Sequence, residues 1–305
     1  MTVASTTESA VTDGPAPPTP SRHEGRKKTE GMTIAGIALR TPYWVFTGAV
    51  ALIFLAPLVW TAVASVSPQP GTNQVDGWGF GNYRTLAAYQ AGIWRYLANS
   101  AFVSLLTVTL TLLISFLGGY AFARFRFPGK NLLFLITLAI LMVPYATLLI
   151  PLYVLLNQVG LQNSLVGVAL VLTMFQLPFS TFLMRISFEA VPRELDEAAM
   201  VDGCSSFGAL WRVLLPAVKP GLITVGLFGF LAAWNDFMAP LILINDSERM
   251  TLPLAVSNLR GQVQGVVDYG ATEAGVVVLA LPCIVLFLLL QRHYVRGFMS
   301  GALKG

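Results

Sequence analysis

Six apolar blocks divide the chain, each close to the ~20 residues that carry a helix across a ~30 Å hydrocarbon core. They run over Tyr43–Val66, Ala98–Ala123, Leu132–Leu156, Ser164–Arg185, Gly221–Ile244 and Ala274–Gln291. None alternates apolar and polar positions as a barrel strand would, and backbone in lipid must hydrogen-bond within its own segment. The pattern therefore predicts six transmembrane helices. Pro144 and Pro151 in the third block and Pro178 in the fourth predict kinks, read either as ordinary bundle shape or as the curvature of a pathway. Residues 1–40 are polar, rich in Ser, Thr and Pro, and lack the apolar core of a signal peptide, which predicts a disordered tail. Residues 41–305 make up the predicted membrane domain.

Composition sharpens the class. A chain of 305 residues suggests about two soluble domains, yet hydrophobic residues make up 55% and charged residues only 11%, against about 25% charged in soluble domains. The expectation is an all-α polytopic membrane protein.

Charge then orients it. Of the 19 Lys and Arg residues, all but Arg84, Arg95, Arg249 and Arg260 fall in the tail, in the second and fourth loops, or after the last block. Basic residues concentrate on the cytoplasmic side of a membrane protein, so both termini are expected there. Tyr43, Trp44, Trp60, Trp94, Tyr96, Trp211 and Tyr294 sit where interfacial aromatic belts are expected. Two segments, Ser67–Leu97 and Asn245–Glu273, are long enough on the opposite side to receive an arriving partner.

One stretch breaks the apolar rhythm. Between blocks four and five, within a loop spanning about 186–220, lies Glu197–Pro216, EAAMVDGCSSFGALWRVLLP. Pro192 suits a first helical turn, and Glu194, Asp196 and Glu197 place negative charge at the positive end of the helix dipole. Gly203 suits a left-handed C-cap, and Ser205 or Ser206 can cap a second helix. That helix is expected to run through Leu214 before Pro216 and Pro220 break it. Two short helices at a glycine corner fit a docking element for another protein; the other reading is an amphipathic loop lying on lipid.

Several chemistries are missing. The chain has no GxxxxGK[ST] phosphate loop, no GxSxG elbow and no HExxH pair, so no enzyme site is expected. Cys204 and Cys283 stand apart, as do His23 and His293, which supports neither a disulfide framework nor a metal site. Asp236 is the one ionisable residue well inside a block, about 15 residues and roughly 22 Å along the fifth helix. One acid is little for an ion-coupled carrier. Asn235 and Asp236 are either part of a translocation pathway or a hydrogen-bonded pair that fixes helix packing.

Glu197, Ala198, Ala199, Gly203, Leu215 and Pro216, with Val213 where isoleucine is usual, resemble the EAA-x3-G-x9-I-x-LP motif of ABC-importer permeases. The resemblance runs from about Tyr43 to Gly305. It is similar to the carbohydrate-uptake branch, the maltose-permease-like proteins, at Asn82-Tyr83, Asn99-Ser100, Arg124 to Phe127, Met142 to Pro144, Pro151 to Tyr153, Gly160-Leu161, Asn163 and Trp234 to Asp236. It implies a coupling helix between spans four and five and a permease subunit of an ATP-driven, binding-protein-dependent importer of a sugar or related polyol, in a bacterial-type inner membrane. It also implies a second permease subunit forming a heterodimer, two cytoplasmic ATPase subunits carrying ATP and Mg, and an extracytoplasmic substrate-binding protein. This chain would bind no cofactor and no nucleic acid. The same architecture importing another solute, an ion-coupled secondary carrier, and a membrane scaffold that does not transport are the other expectations.

Overall fold

The structure, a computed structural model, describes residues 34–68, 77–259 and 268–302, with backbone alone at 34–41 and 292–302. Most of the expected tail lies outside the described residues. The chain divides into two compact units, Met1–Phe54 and Leu55–Gly305. In the first unit the described residues belong to helix α1 (Ile34–Val66), which begins ahead of the first apolar block.

The second unit is helical, with no strand among the described residues. After the end of α1 come α2 (Gly81–Ala88), α3 (Ile93–Arg124), α4 (Lys130–Ala139), α5 (Tyr145–Gln158), α6 (Leu165–Glu189) and α7 (Arg193–Val201). Then follow α8 (Ser206–Ala209), α9 (Leu215–Trp234), α10 (Met238–Leu243), α11 (Leu252–Leu259) and α12 (Tyr269–Ala302). Among the described residues five helices are long and apolar enough to cross a membrane, and a bent pair makes up to six.

That bent pair corrects the expectation for the third block. It is not one helix: Lys130–Met142 and Tyr145–Gln158 meet at 104°. Pro144 forces the break, because it has no N–H to give and biases Val143 toward the extended conformation it adopts (ψ 127°).

The packed centre is α3 against α6 and α9. Val103, Phe116, Val168, Leu172, Met184, Phe188 and Val225 are buried there. Gly119 lets two backbones meet: a Cβ on it would lie 2.5 Å from the Met184 Cβ and 2.9 Å from the Arg185 nitrogen. Large apolar side chains on the outward faces remain exposed, such as Leu105, Leu113 and Leu117 on α3 and Phe287 and Leu289 on α12. A bilayer covers such surface.

Polar residues singled out by the motif resemblance act as clamps. Asn82 Nδ2 donates to the Ser65 and Ser67 carbonyls, both at 3.0 Å. Asn99 Nδ2 donates to the Glu248 and Met250 carbonyls at 2.8 and 2.9 Å. Asn163 Oδ1 accepts from the Asn245 and Asp246 amides at 3.0 and 3.2 Å. Each amide side chain satisfies backbone at a helix end or in a turn that would otherwise lose its hydrogen bonds on burial.

Candidate functional site

The polar stretch folds as a helix–corner–helix. Pro192 takes the N-cap position, one residue before its expected place, and Glu194 and Asp196 fall in the first turn of α7. Three bonds close the helix: Asp202 N–H to the Ala198 carbonyl (2.9 Å), Gly203 N–H to Met200 (3.1 Å) and Cys204 N–H to Ala199 (3.0 Å). This is a Schellman closure with Gly203 at φ +88°, the left-handed conformation that suits glycine. Ser205 caps the next helix, its Oγ accepting from the Gly208 amide at 3.1 Å.

Beyond the corner the expectation needs correcting. Pro216 and Pro220 do not break the helix; Ser206–Trp234 runs as one span of 29 residues. A π-type turn at Leu210–Leu214 joins α8 to α9, with the Leu215 amide reaching back to the Leu210 carbonyl. The wide turn comes just ahead of Pro216, whose ring would crowd the carbonyl four residues back in a regular helix. Leu215 is half-buried and Pro216 exposed at the start of α9 rather than at the corner.

One face of the corner is anchored and the other is bare. Ala199, Ala209, Leu210 and Leu214 are buried, and the two leucines join Phe116, Phe188 and Val191 in a common apolar cluster. Arg124, the last residue of α3, ties α7 down. Its Nε lies 2.8 Å from Asp196 Oδ2, with the side chains 8% and 16% exposed, and its Nη2 donates to the Val191 carbonyl at 2.8 Å. Asp196 Oδ1 is buried without a hydrogen-bond partner. Burial pushes the Asp196 carboxyl up, against the pull of Arg124 and Arg193. Glu197 and Ala198 are exposed, as are Val201 at 86% and Phe207 at 67%. A cavity of about 200 Å³ opens beside them, bounded by Tyr120, Arg124, Arg193, Glu197, Met200 and Ser206 among others. Exposed apolar and acidic groups on a rigidly capped corner make a surface suited to another protein.

The far end of the same rod holds the second group of residues. The helix ends at Trp234, so Asn235 and Asp236 lie in a non-helical link (235–237), not inside a span running to Ile244. Their side chains compete for the backbone. Asn235 Nδ2 donates to the Leu231 carbonyl (2.8 Å), and Asp236 Oδ1 accepts from the Ala239 amide (2.9 Å) at the start of α10.

The two residues part company there. Asn235 reaches toward α12, 3.7 Å from Cys283 Sγ. Asp236 faces a cavity of about 470 Å³ between α3, α6, the end of α9 and the break of the bent pair. Tyr145 donates its hydroxyl proton to Asp236 Oδ2 at 2.8 Å, and Gln176, Phe175 and Thr107 share the lining. Sequence reading missed Tyr145, Gln176 and Arg124 as partners. The nearest signal was Pro144, which marks the break that brings Tyr145 inward.

Comparison with known proteins agrees with this architecture. A family model described as "Binding-protein-dependent transport system inner membrane component" matches residues 111–299. A diacetylchitobiose uptake system permease protein of Streptomyces coelicolor is 37% identical over 212 residues, 70% of this chain and 76% of the relative. A trehalose transport system permease protein of Mycobacterium tuberculosis is 33% identical over 275 residues, 88% of this chain and 99% of the relative. A crystal structure of a bacterial ABC transporter involved in importing the acidic polysaccharide alginate superposes with a TM-score of 0.72 at 21% identity, covering 85% of this chain and 98% of that one.

Proposed function

The chain belongs to the family of binding-protein-dependent transport system inner membrane components, and on that premise we propose that it is the permease subunit of an ATP-driven sugar importer. The relatives' substrates, diacetylchitobiose and trehalose, support a sugar or a related polyol as cargo. The corner Glu197–Gly203 is the seat of a separate ATPase pair that carries ATP and Mg. A second, different permease chain completes the pore, and an extracytoplasmic binding protein delivers the sugar. The bias of Lys and Arg supports an arrangement with the corner and both termini in the cytoplasm. This chain performs no covalent chemistry and holds no cofactor of its own.

One observation carries the reading. The docking corner and the cavity acid sit at opposite ends of one unbroken rod, Ser206–Trp234, about 43 Å long at ~1.5 Å per residue. A push on the corner moves the cavity wall without crossing a flexible joint.

The test is Glu197→Lys in the assembled importer. Uptake should be abolished and the ATPase subunits should dissociate in detergent, with membrane insertion unchanged. Normal uptake with tightly held ATPase would overturn the assignment.

A further inference from the structure

We propose that the 470 Å³ cavity is itself a subsite for uncharged sugars, held by Asp236, Tyr145 and Gln176. The proposal rests on the importer reading above and adds where this chain touches its cargo and which cargo it rejects.

Two interruptions of apolar helix meet at this cavity: the break at Val143 and Pro144, and the link at 235–237 that carries Asp236. Non-helical backbone at membrane depth persists only where protein buries it or where it lines an aqueous cavity. Broken helices facing each other are how transporters build ligand sites within a bilayer. The two breaks are joined directly by the Tyr145–Asp236 hydrogen bond.

The chemistry left over suits hydroxyls. Asp236 spends one acceptor position on each oxygen, Oδ1 on the Ala239 amide and Oδ2 on Tyr145. A carboxylate offers about four such positions, so about two remain for ligand donors. The Tyr145 oxygen, having given its proton, still accepts, and the Gln176 amide can do both. Tyr145 and Phe175 meet edge to face at 4.6 Å and 82°, presenting ring surface to the C–H face of a sugar. The remaining wall is largely apolar, and the volume lies within the ~300–1,000 Å³ of small-molecule sites. No Lys or Arg is among the lining residues, so no cation faces Asp236 across the cavity, and a uronate or a phosphorylated sugar meets a like charge in a confined space.

The experiment uses the complete permease–ATPase complex in nanodiscs without its binding protein. Saturation-transfer NMR, which detects weak ligands, is run with trehalose, diacetylchitobiose and digalacturonate as probes. At least one neutral disaccharide should give signal, with digalacturonate at least tenfold weaker. Tyr145→Phe and Asp236→Asn should each lower the neutral signal at least fivefold, and Asp236→Asn should also narrow the gap between neutral and acidic probes. Tyr145→Phe leaves the Asp236 bond to Ala239 in place, so it remains informative if Asp236→Asn assembles poorly. No neutral signal, equal signal from digalacturonate, or unchanged signal in Tyr145→Phe overturns the subsite. A parallel measurement of ATP-driven uptake with the binding protein present separates the two levels. Intact uptake with any of those NMR outcomes sinks only the subsite, whereas no uptake of either neutral sugar sinks the importer reading beneath it.

Discussion

Replacing Arg124 by Met should loosen the capped corner at Glu197–Gly203, because it removes the cation that faces a mostly buried carboxylate. Loss of one partner of a buried ion pair costs about 3–5 kcal/mol, chiefly because the other charge is left stranded. The lower end applies here. The 2.8 Å contact to Oδ2 is not a well-aligned hydrogen bond, since Arg124 Nε has no hydrogen-bond partner, and the neighbouring cavity of about 200 Å³ can admit water. About 3 kcal/mol, at 1.36 kcal/mol per tenfold, is on the order of a 100-fold faster local opening. Amide hydrogen exchange over 198–204, whose closing bonds involve Ala198, Ala199 and Met200, reads that change directly. The double variant Arg124→Met with Asp196→Leu should recover most of the protection, since an apolar pair of similar volume is often neutral.

The same pair has a pH signature. Burial raises the Asp196 carboxyl above its ordinary value in the folded chain, so the folded form holds its proton more tightly than the unfolded one. The stability this contributes is present below the unfolded pKa and is lost as pH rises through the folded one. In Arg124→Met the carboxyl rises further, and protonation then relieves the stranded charge. The exchange defect should shrink as pH falls from 7 toward 5, by up to about 1.4 kcal/mol per unit, after correction for intrinsic exchange. Exchange within threefold of wild type in the single variant, or a double variant as loose as the single, would refute the argument.

Two glycines give sharper local tests. At Gly203 nothing lies within 4 Å of an added Cβ, so Gly203→Ala costs only backbone strain, about 1–2 kcal/mol, seen as roughly 5–30-fold faster exchange over 198–204; Gly203→Asn should cost less. Unchanged exchange in Gly203→Ala would remove the left-handed cap from the account. Gly119→Ala drives a methyl into the Met184 Cβ and the Met184–Arg185 backbone, so the detergent-solubilised protein should lose about 1–3 kcal/mol of thermal stability. Gly118→Ala, whose Cβ would sit 3.5 Å from Thr181, is the control, and equal melting of the two variants would contradict the close helix approach.

Local features were readable from the sequence because their causes are local. α7 ends through the Gly203 bond to Met200 and the Cys204 bond to Ala199, and Ser205 caps through Gly208, all within five residues. Apolar block length foretold where most of the helices lie, since lipid leaves the backbone no alternative. Prolines misled in both directions. Pro144 breaks its block outright, whereas Pro216 is absorbed by a π-type turn. Which occurs depends on what surrounds the freed backbone.

The sequence by itself thus determined the helical class, the number of apolar blocks and the capped corner around Glu197–Gly203, because periodicity and capping act over one or two turns. Only the tertiary structure decided that Arg124 pairs with Asp196, that Asn235 and Asp236 face different neighbours, and that Tyr145 reaches Asp236 across 91 residues of chain. Those pairings depend on how α3, α5, α6 and α9 pack, and packing is a sum of many weak contacts that no single stretch of sequence encodes. The unbroken rod from the corner to the cavity belongs to that second group, because Pro216 and Pro220 read alone predict a break that packing absorbs.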